Sequence, residues 1–199
     1  MKEAEHERPD RSHSEPREIE ERGSLMIVIH PCVFDDTTVR AWLTRTHASA
    51  PGSAVVTIEV EDLEMRARRS LTAGLTRAFI STLVELRKMR RIGERSPVVD
   101  GHRSWCSRLE NEGEPHRSQE LEAAEEHNGD VIRVWLAQGA DQQGKSAAKA
   151  YVEMRTDGVV LQWPPLTLLQ HYALPRRLNY LLDELRLMDS EARALPRFM

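Results

Sequence analysis

The stretch Val131-Ile132-Arg133-Val134-Trp135-Leu136 decides the reading of this chain, because Thr38-Val39-Arg40-Ala41-Trp42-Leu43 echoes it. Each opens a segment with a similar close, Glu184-Leu185-Arg186-Leu187-Met188 in one case and Glu85-Leu86-Arg87-Lys88-Met89 in the other. The tryptophans lie 93 positions apart (135 − 42) and the closing methionines 99 (188 − 89). A second copy with about six extra loop residues accounts for the difference, as in degenerate tandem repeats.

Working outward, Leu25-Met26-Ile27-Val28-Ile29 reads as a buried strand, and residues 38–45 as the next. Val55, Val56, Thr57, Ile58 and Val60 give a third, β-branched strand. Glu61-Asp62 marks a turn before a return strand over 63–69. Leu71, Leu75, Ala78, Phe79, Thr82, Leu86 and Met89 then recur at helical spacing. The second copy reads as a strand from Val131, another over 150–155, an Asp157-Gly158 hairpin signal and a strand over 159–163. Pro164-Pro165 stops that strand, and Pro175 is expected at the first position of a final helix. Leu174, Leu178, Leu181, Leu182, Leu185 and Met188 form its apolar stripe.

The fold class expected is therefore α+β. Two related antiparallel sheet-plus-helix units, residues 25–92 and 131–199, form an internal pseudo-dimer, each helix covering its own sheet. Tandem units of this kind resemble, in architecture only, single-strand-binding folds and small secretion-chaperone-like adaptors. Residues 1–24 hold eight acidic and five basic residues with almost nothing apolar, and read as a disordered tail. Residues 93–130 read as an acidic linker, with a short helix over 120–126.

Composition narrows the function classes. A chain of 199 residues, 40% hydrophobic and 30% charged, suits a soluble globular protein with a real core. A net charge of −4 gives no global attraction to nucleic acid or anionic membranes. No run reaches the ~18 apolar residues of a spanning helix, so no membrane partner is expected. Two cysteines imply no disulfide framework, and the expected location is intracellular and cytoplasmic. Leu178, Leu182, Leu185 and Leu187 have the spacing of a nuclear export signal, which would add shuttling.

Three constellations could carry chemistry. Gly139-Ala140-Asp141-Gln142-Gln143-Gly144-Lys145-Ser146 matches a phosphate-binding loop. In such a loop Gly139 and Gly144 free the backbone to wrap phosphates, Lys145 reaches the terminal phosphate and Ser146 holds magnesium. A helix after Ser146 would favour that reading, and a strand through residues 151–154 would sink it. Residues 63–95 carry nine basic and three acidic side chains, so Arg66, Arg68, Arg69, Arg87, Lys88, Arg90 and Arg91 could bind phosphates. The same residues could instead line a wet sheet face or favour a helix C-terminus. His30, Cys32, His102 and Cys106 offer two nitrogens and two sulfurs, a tetrahedral zinc set in type though not in common finger spacing.

No catalytic set emerges, and no cofactor is expected. The leading expectation is a non-enzymatic protein-interaction module (adaptor, chaperone-like or accessory), with a protein partner and a homodimer as one form of it. The second is a single-stranded RNA or DNA binder using residues 66–95. Nucleotide binding through 139–146 stands third.

Overall fold

The computed structural model describes residues 22–29, 37–45, 54–98, 102–107, 116–124, 129–138, 148–156 and 159–194. Among these residues the fold is α+β, with two antiparallel sheets and two helices. The first sheet runs in chain order: β1 (Arg22–Ile29), β2 (Thr38–Arg45), β3 (Ala54–Glu61) and β4 (Arg66–Leu71). After helix α1 (Ala73–Arg95), two short strands, β5 (His116–Arg117) and β6 (Leu121–Ala124), pair along one side of β7 (Val131–Gln138). Strands β8 (Lys149–Thr156) and β9 (Val159–Gln162) complete the second sheet, and helix α2 (Leu168–Ala194) follows.

Local chemistry fixes most boundaries. Asp62 makes the turn into β4, its Oδ1 accepting from the Glu64 and Met65 backbone N–H groups at 2.9 and 2.8 Å. That turn holds Leu63–Met65 out of the ladder, so β4 begins later than the expected return strand. Thr72 caps α1, its hydroxyl accepting from the Leu75 N–H at 3.1 Å. Thr167 and Gln170 cap α2 reciprocally: Thr167 Oγ1 accepts from Gln170 N–H at 3.2 Å, and Gln170 Oε1 accepts from Thr167 N–H at 3.0 Å. This capping box starts the helix well before Pro175, which lies inside α2 and not at its first position. Pro175 supplies no N–H there, and the helix continues past it.

The helices are exchanged between sheets. Helix α1 lies mainly against β6 and β7, α2 mainly against β1, β2 and β3, and the two helices pack on each other. Hydrogen bonds mark the exchange. Arg90 of α1 donates from Nη1 to the Ala148 carbonyl at 2.8 Å, beside β8, while Gln170 of α2 donates from its amide to the Thr37 carbonyl, beside β2. The expectation that each helix covers its own sheet is thus corrected. One residue, Thr72, separates β4 from α1, whereas strand-to-helix loops that fold back usually take about 2–6 residues. The helix therefore leaves its own sheet and finds the other.

One continuous core results. Val39, Ala41, Leu43, Val56, Ile58 and Val60 of the first sheet meet Leu174, Leu178, Leu181, Leu182 and Leu185 of α2, all buried. Each such leucine contributes about 1.5–3 kcal/mol by leaving water. Ile132, Val134 and Leu136 play the same part on the second sheet, and Phe79 meets Trp163 edge-to-face at 5.8 Å.

Two further expectations change. Residues 93–130 are no mere linker: α1 runs on to Arg95, and β5 and β6 come from this segment. The helix expected over 120–126 is strand β6 at 121–124, because Leu121 and Ala123 find partners Val134 and Ile132 on β7. Arg22, Gly23 and Ser24, assigned to the tail, belong to β1; the rest of that tail lies outside the described residues, as does Asp157-Gly158.

Candidate nucleic-acid interface

The seven basic candidates separate into three places. Arg66 and Arg68 lie on the outer face of β4, with their charge already engaged. Buried Glu59 accepts from Arg66 Nε and Nη2 at 2.9 and 2.6 Å, and from Arg40 Nη1 at 2.9 Å. Arg40 also bonds Glu61, and these contacts raise the Arg40 pKa and lower that of Glu61. Arg68 stacks over Trp42, 5.3 Å from the ring centroid. Arg69 sits on the opposite, core-facing side opposite Ile58, its Nε buried without a hydrogen-bond partner. On α1, Lys88 pairs with Glu85 at 2.6 Å. Arg90 is buried between Glu94 and the Ala148 carbonyl and serves as a structural tie. The seven candidates therefore do not share one face; among the described residues, half-exposed Arg87 and exposed Arg91 form no ion pair.

A different site takes Arg87. Leu169, Tyr172, Ala173, Arg176 and Tyr180 recur at helical spacing on α2, on the side away from its buried leucines. With Arg177 and with Arg87 from α1 they line a groove of about 610 Å³. Arg87 lies 4.2 Å from the Tyr172 ring centroid, so the two helices meet there in a cation–π contact. Among the described residues no carboxylate lines the groove, and Arg87, Arg176 and Arg177 form no ion pair. That distinguishes it from the first sheet, where Glu59 and Glu61 already neutralise much of the charge.

Neighbouring His171 turns instead into the seam between the helices. It is fully buried, and its Nε2 hydrogen-bonds the Leu83 carbonyl at 3.1 Å. Burial pushes its pKa down to about 4, with nearby Arg90 and Arg87 adding to the effect. The imidazole is therefore neutral at pH 7 and donates from Nε2.

The sequence singled out neither Tyr172, Arg176, Arg177 nor Tyr180. The signal was the exposed stripe complementary to the leucine stripe: Arg176, Arg177 and Tyr180 fall inside the expected helix, and Leu169, Tyr172 and Ala173 join them once it starts at Leu168.

Among the metal candidates, His102 and Cys106 come together and are joined by His116, which the sequence reading missed. His30 and Cys32 lie outside the described residues. Gly139, Gly144, Lys145 and Ser146 also lie outside them. The flanking strands β7 and β8 pair antiparallel with Ala137 opposite Lys149, and residues 151–154 are strand. A phosphate-binding loop needs a helix there, so the nucleotide reading loses its structural context. The export reading fails on burial: Leu178, Leu182 and Leu185 are core, and only Leu187 is exposed. Among the described residues no helix is long and apolar enough to cross a membrane.

No known protein family matches the sequence, and no curated protein does. Among solved structures, one of the plant transcriptional regulator PBF-2 is similar at 8% identity with a TM-score of 0.32, over 88% of this chain and 89% of that one.

Proposed function

We propose that this chain is a non-enzymatic module that binds single-stranded nucleic acid through the groove of Arg87, Tyr172, Arg176, Arg177 and Tyr180. The observation that carries the reading is cationic charge beside the exposed ring of Tyr180 and the half-buried ring of Tyr172, in a groove with no acid among the described residues. Guanidinium groups bind phosphate oxygens in pairs, and tyrosine rings stack bases at about 1–3 kcal/mol each. A groove of about 610 Å³ suits one or two splayed nucleotides rather than a duplex. Arg91, one turn from Arg87 on α1, would extend the phosphate track. Because the net charge is −4, long-range steering is absent and the affinity is expected to be local and modest.

Anisotropy of a labelled single-stranded RNA, titrated at several salt concentrations, tests this. Replacing Arg176 and Arg177 with Gln is expected to weaken binding. The log–log salt slope should fall in magnitude by about 0.7 for each phosphate that the variant no longer neutralises. Tyr180→Ala should weaken binding without changing the slope. Unaltered affinity in both variants, or no saturable binding by the wild type, would overturn the site.

A second reading, a protein partner, is favoured by apolar exposure along the same helix, part of it in the groove. Leu169, Tyr180 and Leu187 of α2 are each at least half exposed. A homodimer through this helix would be broken by Leu187→Asp, as read by sedimentation, with RNA binding retained. An internal duplication has its own support. Trp42 on β2 and Trp135 on β7 each lie on a strand paired on both sides within its sheet.

A further inference from the structure

We propose that His102, Cys106 and His116 form a zinc-binding site, separate from the α2 groove. Sγ of Cys106 lies 3.3 Å from His102 Nδ1 and 3.6 Å from His116 Nδ1. Ligand atoms of all three residues fall within 4.8 Å of one another. A tetrahedral zinc ion with bonds of about 2.3 Å to sulfur and ~2.0–2.1 Å to nitrogen sets its sulfur and nitrogen ligands about 3.5 Å apart. Both sulfur–nitrogen edges are already close to that length. The imidazoles stand edge-to-face, 87° apart with centroids at 4.9 Å. The nitrogens, within 4.8 Å of each other, would close to about 3.3 Å around the ion, a movement that turning the rings can supply.

The backbone holds the three residues together. A tight turn closes with Cys106 N–H donating to the Arg103 carbonyl at 2.9 Å. Cys106 then bridges to Ser118 in antiparallel fashion, and Ser107 N–H donates to the Arg117 carbonyl at 2.8 Å. His116 thus lies on the facing rib, while His102 precedes Cys106 by four residues. Trp105, buried against α1, anchors the turn to the core. Ser118 N–H continues the tie to the Leu136 carbonyl on β7 at 2.9 Å. A ligand set held from both sides needs little ordering when the ion arrives.

The donor set chooses the metal. One thiolate with two imidazoles suits a borderline-soft ion such as zinc, and lacks the oxygens that magnesium or calcium requires. Zinc binding takes the proton from the Cys106 thiol and releases it to solvent, leaving a thiolate–zinc bond. The fourth position falls to solvent, as in zinc sites with three protein ligands. Cys106 is 8% exposed and both histidines are half-buried, so the ion would be largely enclosed.

Cobalt(II) titration of the full, tag-free chain provides the test. One equivalent is expected to bind, with a near-ultraviolet thiolate-to-cobalt band and the intense visible bands of a tetrahedral site; zinc should displace it. Cys106→Ser should abolish the thiolate band. His116→Gln and His102→Gln, at half-buried positions, should each weaken zinc binding by at least about tenfold, the loss that even an outer-shell partner of a metal causes. Circular dichroism of each variant checks that the sheets persist. Absence of a stoichiometric thiolate band in the wild type, or its survival in Cys106→Ser, would overturn the site. So would zinc affinity unchanged in both histidine variants.

Discussion

Gly93→Ala is expected to destabilise the protein by about 3 kcal/mol, against the direction that helix propensity alone dictates. Alanine in a helix interior ordinarily gains up to about 1 kcal/mol over glycine. Here a Cβ at residue 93 would stand 2.1 Å from Cδ1 of Trp105 and 3.0 Å from its Nε1. The indole is buried and rigid, so it cannot yield at its tip as a lysine would. Overpacking of this kind costs ~1–3 kcal/mol or more, and the displaced ring also loses burial. For a chain of this size the loss corresponds to a fall in Tm of roughly 6–12 °C. Thermal unfolding of Gly93→Ala, Trp105→Leu and the double variant measures it. A strong positive coupling is expected, because Trp105→Leu opens the space that the methyl needs. Additive effects, or a stabilised Gly93→Ala, would refute the close packing of α1 on this turn.

The second large effect is a loss of stability in mild acid caused by His171. Its unfolded pKa is near 6.5 and its folded pKa is down to about 4. A base whose folded pKa is depressed lends stability above the unfolded value and loses it as the pH falls toward the folded one. Between pH 7.5 and 4.5 the group should therefore withdraw roughly 2–3 kcal/mol, with little further change well below pH 4. Carboxylates titrate over part of the same range, so the informative quantity is a difference. His171→Gln keeps a donor for the Leu83 carbonyl and removes the titration. Urea unfolding of the two proteins should converge as the pH is lowered, the wild type losing more. Parallel curves would show that the imidazole is solvated and the seam between the helices open.

Strands β2 and β3 were legible because β-branched residues alternate there and Val56, Ile58 and Val60 all face one core. The leucine stripe of α2 was legible for the same reason at helical period. Strands β5 and β6 were not. The acid-rich segment that holds them has few β-branched residues, and its pairing depends on Leu121 meeting Val134 and on Glu122 reaching Arg133 at 3.3 Å. The start of α2 was misplaced because Pro175 is a louder signal than a Thr167–Gln170 capping box. With the helix starting at Pro175, Leu169, Tyr172 and Ala173 fall outside it and the groove stripe loses its first turns. His116 could not be attached to Cys106 from spacing, because a ten-residue separation becomes a contact only through the ribbon between them.

The exchange of helices bears on how the chain is made. Strand β4 ends at Leu71, while α2, the principal cover of that sheet, begins only at Leu168. During synthesis at ~5–20 residues per second the ribosome needs roughly 5–20 s to add the intervening 96 residues (168 − 71 − 1). Throughout that interval the apolar side of the first sheet has no lasting partner, and a nascent chain stalled there is a substrate for chaperones or for another nascent copy. Conversely, two fragments divided after α1 should be unstable apart and assemble when mixed, because each holds the lid of the other.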